Sequence, residues 1–380
     1  RVAIANNANI AQKSGSKGEV TVDGSKSVLS AKIISVGAEG DGTLTVSNGG
    51  IVDATTNDAN DVGAVFVSSS SLGKGLANIT GNGSKILTNE MIIGDMAQSN
   101  GTLNISKGAE VSVDKVMRVA DDFSSTGTVN INDGSLSIPD LTVGYGGKGT
   151  LIAKKAKINA DQLILGHQLR GQGNVTLDEG SNLQNTNGLA IGRQGTGTLT
   201  LKDKSSLTSK AVLVAGSEVN SVGNLIAQGQ SSLQLDEIII GDQGTGNLNI
   251  ESGSSVTVDK NTILGRNVSS TANIIVDGAD SVLNSNGEYL GIADNGKANV
   301  TVRNKGKINA NTTVIGNNLG STGILTVSGT GTEIASDNIV VGGAGRGTLN
   351  INNGGTVKTG SISSLAGRSN STVNFNGGIL

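Results

Sequence analysis

Short apolar–polar alternations recur along the chain, each closed by a turn rich in glycine. In Thr43-Leu44-Thr45-Val46 the period is two, which predicts a strand with Leu44 and Val46 on one face and Thr43 and Thr45 on the other. The same phrase returns in a longer frame: an apolar triplet ending in Gly or Ala, a small loop, the Thr/Asn-Leu-Thr/Asn-Val strand, a turn, and a further apolar residue. The cleanest copies are residues 33–52, 237–258 and 338–357. Anchoring each copy on the Gly or Ala that closes the triplet gives Gly37, Gly94, Ala120, Gly144 and so on through Ala215, Ala293 and Gly342 to Ala366, with a degenerate copy near Val67. Thirteen steps between residues 37 and 366 set a period of about 25 residues. The repeat runs from end to end, so one domain is expected over residues 1–380.

Three inward columns follow from this frame. The first takes Leu44, Ile79, Leu103 and Val129; the second, after the turn, takes Val52, Ile86, Val111 and later Val282; the third precedes the anchor and takes Val36, Ile93, Val119 and later Val214. Three short strands per repeat leave no room for helices. A single repeat buries too few aliphatic side chains to offset the ordering of its own backbone, so each must stack on its neighbours. The expected fold is all-β, a parallel right-handed β-helix (β-solenoid) of about 14–15 coils of roughly 25 residues. At a strand spacing of about 4.8 Å it predicts a rod roughly 65–75 Å long.

The outward face of the best-defined strand is regular. Its first column, from Thr43 and Asn78 through Thr198 to Thr372, is Thr or Asn at thirteen of fourteen positions; the second includes Thr45, Thr200, Asn249 and Asn350, with Ile152, Ile226 and Ile275 interrupting. Stacked Thr and Asn side chains stabilise such a ladder and offer a flat polar docking surface.

Composition narrows the alternatives. The 380 residues include 58 Gly, 1 Pro, 1 His and no Cys or Trp, with a net charge of −3. Collagen, a disulfide scaffold and a thiolate metal site are thereby excluded, and 35% hydrophobic residues speak against disorder. No apolar run approaches the length of a membrane span. No basic-then-apolar leader follows Arg1, so any signal peptide is expected outside this sequence.

The signature VG-x-x-G-x-GTLT/N-V/I-x-x-GG-x-V, as in residues 36–52, 240–256 and 341–357, resembles the repeat shared by type V secretion autotransporter passengers and PEP-CTERM-associated proteins. It covers essentially the whole chain. The resemblance implies a passenger fragment of the AIDA-like adhesin type, with the signal peptide and the C-terminal translocator barrel lying outside this sequence. It further implies an extracellular location at a Gram-negative surface, anchored to the outer membrane or secreted. The roles it implies are self-association, biofilm formation or adhesion to host cells and matrix. Serine-protease and GDSL-lipase signatures are missing from the chain. The absence of cysteine suits transit of an unfolded chain through an oxidising periplasm.

Candidate chemistry is sparse. His167 has no second His or Cys to join it in a metal or catalytic set, and is expected in an exposed turn. The acid pairs Asp121-Asp122 and Asp178-Glu179 are expected as solvated turn residues. GGAGRG at 342–347 superficially resembles a phosphate loop, yet no Lys-Ser/Thr closes it and no helix is expected after it. No cofactor and no metal are expected, and without aromatic residues to stack bases no nucleic-acid partner is. A β-helical polysaccharide-active enzyme and an ice-binding solenoid are the alternatives to an adhesin. Charge is uneven: residues 31–145 hold 6 Lys/Arg against 13 Asp/Glu, and residues 146–215 hold 9 against 4. Lys154, Lys155 and Lys157, with Arg170, Arg193, Lys202, Lys204 and Lys210, define a candidate basic stripe for sulfated glycans or the acidic part of another copy. The candidate surface residues are thus Lys154, Lys155, Lys157, Thr43, Thr45, Thr198, Thr200, Asn249 and Asn350. The loops at 53–64 and 216–222 are expected to protrude.

Overall fold

Alternation of inward aliphatic and outward polar residues builds two kinds of strand in every repeat. A computed structural model describes residues 1–56, 62–364 and 371–380, which gather into two compact units, Arg1–Asn185 and Thr186–Leu380. Each unit is all-β, and the strands set by the repeat pair in parallel at steps of about 25 residues: the chain is a β-solenoid. The described residues contain no helix, and so none long and apolar enough to cross a membrane. Ala366 and part of the 53–64 loop lie outside the described residues.

One strand per coil is short and flat. In the first unit this strand recurs seven times, from Lys17–Asp23 to Gln172–Asp178; in the second it recurs eight times, from Thr196–Leu201 to Ser371–Asn376. Its burial alternates strictly, as in Asp41–Ser47, where Leu44 and Val46 are sealed and Thr43 and Thr45 half-buried. The other strand is longer and bent. In Ser135–Val143, Leu136 and Ile138 point inward, Pro139 and Asp140 both face out, and Leu141 and Val143 point inward again. Two successive outward residues reverse the alternation and turn the corner. The second and third expected strands are therefore mostly one bent strand; among the described residues they separate only at Ile51–Ala54 and Ala64–Val67 and at Ser255–Val258 and Thr262–Leu264.

The corner leaves interior backbone groups that the ladder cannot reach, and small hydroxyl side chains meet them. Thr88 Oγ1 donates to the Glu90 carbonyl at 2.8 Å and Ser336 Oγ to that of Asn338 at 2.9 Å. Beyond the bent strand, the described coils place their anchor residue in the left-handed region. Gly37 has φ +70°, and a side chain there would collide with the Lys74 carbonyl of the next coil. Ala120 and Ala293 hold the same place at φ 59° and 65°.

The register corrects four sequence assignments. Leu44 pairs with Ala77 and Val46 with Ile79, so Leu76 takes the first outward column and Asn78 the second. Leu283, not Val282, continues the second inward column. Ala215, not Val214, continues the third, and the anchor of that coil is Gly216 at φ 69° rather than Ala215. Each slip falls where a coil departs from 25 residues, because counting from a neighbour then displaces the frame.

Candidate binding surface

The flat strands set Thr and Asn side chains one above another at the strand spacing of about 4.8 Å. A side-chain amide at that spacing reaches its neighbour. In the first unit Asn104 Nδ2 donates to Asn78 Oδ1 at 2.8 Å, and Asn130 Nδ2 to Asn104 Oδ1 at 2.9 Å. In the second unit Asn247 donates to Asn224 at 2.8 Å and Asn273 to Asn247 at 2.9 Å, while Asn374 donates to Asn350 at 2.8 Å and Asn350 to Thr326 at 3.2 Å. Every one of these amides donates from the later coil to the earlier. Such an amide spends one N–H and one lone pair on the ladder and keeps one of each for a partner.

Of the residues singled out in the sequence, Thr43 and Thr45 lie on this face in the first unit. Thr198, Thr200, Asn249 and Asn350 lie on it in the second, on strands Thr196–Leu201, Thr245–Glu251 and Arg346–Asn352. Their half-burial makes the face close-set and flat rather than a fringe of mobile side chains.

The lysines behave differently. Lys154 Nζ lies 2.9 Å from Glu179 Oε1 and 3.7 Å from Asp178 Oδ2, and Lys155 Nζ 3.7 Å from Glu179 Oε2. The hydrogen bond to Glu179, reinforced by the charges of Glu179 and Asp178, holds the Lys154 ammonium above its ordinary pKa, and Lys154 holds Glu179 below its own. The acid pair expected to be merely solvated is thus the counterpart of the lysines, leaving one net positive charge among Lys154, Lys155, Lys157, Asp178 and Glu179. Nor do the basic residues share one line. Lys154 closes the flat strand Lys148–Lys154; Lys155, Lys202 and Lys204 follow a flat strand, Arg170 and Arg193 precede one, and Lys210 lies within the bent strand Ser206–Ala215.

A second arrangement escaped the sequence reading. The residue after each anchor stacks on its counterpart one coil away, and in the first unit this column runs Asp95, Asp121, Tyr145, His167. Tyr145 and His167 stack face to face, with centroids 4.6 Å apart and planes 12° from parallel, and Arg118 lies 4.9 Å over the Tyr145 ring. His167 is therefore half-buried in a stack rather than an exposed turn residue. Arg118 Nη1 stands 3.6 Å from Asp121 Oδ1, too long for a hydrogen bond, and that buried oxygen has no hydrogen-bond partner. Burial first, then the charges of Asp121 and Asp122, push Asp95 up from 3.8 to about 6, with Arg118 opposing. Burial likewise raises Asp121, against the pull of Arg118. Reading the anchor-plus-one residues as a column would have brought these groups together.

No family model matches this sequence, and neither does any curated protein or solved structure.

Among the described residues, no three His, Asp or Glu side chains are placed to hold a metal ion. A polar groove at the bent-strand corner of the second unit is lined by Asn286, Asn309, Asn311, Asp337, Lys358 and Thr359. Its lysine is engaged by Glu333 at 2.8 Å.

Proposed function

We propose that this chain is an adhesin passenger of a bacterial cell surface, a binding module rather than an enzyme. It acts through the Thr/Asn faces of its flat sheets, either on other copies of itself or on host matrix and glycans. The observation that carries this reading is the amide ladder: each Asn within it holds its neighbours in place while keeping a free donor and acceptor at a fixed repeat. A partner with its own repeated polar groups, such as a polysaccharide or a second ladder, meets many weak contacts at once, and multivalency turns these into avidity. The resemblance of the repeat to autotransporter passengers agrees with this role and with an extracellular location.

Cells displaying the chain are expected to clump and settle, or to adhere to immobilised matrix, several-fold more than cells carrying the empty vector. Replacing Asn104, Asn247 and Asn350 together by Ala is expected to remove most of that gain. Display that produces neither clumping nor adhesion overturns the proposal.

A further inference from the structure

The bent strands of the second unit are irregular where the polar groove lies. In Val282–Ile292, the residues Asn286, Gly287 and Glu288 stand opposite the single residue Asn311 of Lys307–Ile315, between the pairs Ser285–Ala310 and Tyr289–Thr312. Such a bulge bends its strand and leaves backbone groups outside the ladder. Asn311 meets them: its Nδ2 donates to the Asn286 carbonyl at 3.1 Å and to that of Gly287 at 2.9 Å. Both N–H groups are thereby engaged, and the Oδ1 of this fixed amide remains as an acceptor on the groove wall.

The second irregularity is a missing side chain. The outward column on the first half of these strands runs Gln234, Thr257, Asn284, Asn309, Ala335, Lys358. Asn309 Nδ2 donates back to Asn284 Oδ1 at 2.8 Å, as in the ladders of the flat face. Ala335 has nothing to donate to Asn309 in turn. The alanine thus opens a depression in the column and leaves Asn309 with an acceptor and one N–H for a ligand. At the corner itself Gly360 falls opposite Asp337 and again brings no side chain.

The hydroxyl groups lining the groove are committed to backbone. Ser336 Oγ donates to the Asn338 carbonyl at 2.9 Å, and Thr359 Oγ1 to that of Ser361 at 2.8 Å. The larger side chains are not. No described residue donates to the exposed Asp337 carboxylate, and Lys358 Nζ meets Glu333 at 2.8 Å with further N–H groups to offer. Acceptors on Asn309, Asn311 and Asp337 therefore stand beside donors on Asn309 and Lys358, around a groove of about 390 Å³, a size typical of ligand sites. It crosses four coils, or three strand spacings, about 14 Å.

We infer that this groove binds a short stretch of a neutral polysaccharide. Sugar hydroxyls both donate and accept, which matches a lining that offers both. A groove that runs across coils takes consecutive rings of a chain rather than a single ring. Ala310 and Ala335 are the only aliphatic side chains in the lining, so a lipid or an apolar peptide would bury almost nothing there. Asp337 and Glu333 outnumber the single ammonium of Lys358, which disfavours sulfated and uronic chains. The inference deepens the glycan branch of the proposed function, giving it a site apart from the Thr/Asn faces and a ligand class without charge.

The test is titration of the purified chain with a panel of neutral hexasaccharides built from glucose, galactose, mannose and N-acetylglucosamine. Binding is read by saturation-transfer NMR and calorimetry, beside the variants Ala335→Gln and Asp337→Ala. The first places in the groove a side chain that this column already carries at Gln234, and the second removes an exposed, unbonded carboxylate, so unchanged thermal midpoints are expected for both. At least one panel member is expected to bind. Ala335→Gln, which fills the depression, and Asp337→Ala, which removes a charged acceptor, are each expected to weaken it by about 10-fold. A panel that fails throughout overturns the inference, as does binding that both variants leave intact. A heparin oligosaccharide that binds more tightly than every neutral member overturns the ligand class. The display assay keeps the two proposals apart. Cells that clump or adhere while the panel fails remove the groove and leave the adhesin; panel binding that the variants weaken, without adhesion on display, does the reverse.

Discussion

Asp242 in the second unit and Asp121 in the first occupy the same place in the repeat, one residue past the anchor, and meet opposite surroundings. One coil after Asp242 stands Arg266, whose Nε and Nη2 donate to its carboxylate at 2.7 and 2.9 Å, and Asn267 adds a third bond at 2.7 Å. Asp294 is served in the same way by Asn317 at 2.6 Å. One coil after Asp121 stands Tyr145, which offers no charge, and one coil before it stands Asp95, another acid. Two carboxylates at about 4.8 Å repel by roughly 1 kcal/mol even with the full dielectric of water between them. A solenoid imposes this: whatever occupies one position is stacked on its counterpart, so each charge is either neutralised one coil away or multiplied. The second unit neutralises; the first leaves its acids repelling one another, which adds to the burial that chiefly pushes Asp95 up to about 6.

The largest expected effect comes from breaking the neutral side of the contrast. Arg266→Ala leaves the Asp242 carboxylate, nearly buried, with Asn267 as its remaining side-chain donor. Loss of a bidentate partner to a buried charge is expected to destabilise the second unit by about 2 kcal/mol at pH 7. Denaturant melts of wild type and variant check it, and a change under about 0.5 kcal/mol would show that the fork contributes nothing beyond a surface pair.

Relieving the repulsive side has the opposite sign and a smaller size. Because the folded chain holds the Asp95 proton more tightly than the unfolded chain does, folding takes up a proton between about pH 4 and 6, and stability from this group falls as pH rises through that window. Above pH 6 the full penalty is present; below about pH 4 both states are protonated and it vanishes. The gap between 3.8 and about 6 corresponds to ~3 kcal/mol, which solvent screening at this half-exposed site reduces to about 1 kcal/mol. Asp95→Asn is therefore expected to stabilise the first unit by about 1 kcal/mol at pH 7.5 and not at all at pH 4. Melts at the two pH values check it; equal differences at both would assign the effect to something other than the charge.

The same stacking explains what was legible in the chain before its coordinates. A solenoid's contact map is its period, so Leu44, Leu103 and Val129 could be placed in the core from spacing alone. The period also carried the cross-coil pairs, although they were not read: Lys154–Glu179, Asp236–Lys260, Asp242–Arg266 and Asp277–Arg303 are each separated by 24 to 26 residues. Position within the repeat was harder to read than the repeat itself. The insertion between Ala54 and Ala64 shifts the frame that places Ile79, and Ala215, which fits the Gly-or-Ala rule as well as its neighbour does, hides the anchor Gly216. Side-chain choices within a turn, such as the stacking of His167 on Tyr145, depend on three-dimensional direction that a column of letters does not carry.

The smallest effect on stability is also the most informative about cause. Asp121 and Tyr145 are 24 residues apart, as are Asp242 and Arg266, so Tyr145→Arg gives the first unit the partner that the second already has. The new pair is worth up to about 1 kcal/mol, and losing the stack on His167 costs about as much, so net stability is expected to stay within about 0.5 kcal/mol. The titration of Asp95 is expected to respond more clearly. With Asp121 paired, its repulsion on Asp95 weakens, and the midpoint followed by carboxyl-carbon NMR drops below 6. It does not return to 3.8, because burial, the larger cause, is unchanged. A midpoint that stays near 6 would make burial the whole explanation, and the two units would then differ in how deeply the turn packs rather than in how its charges are matched.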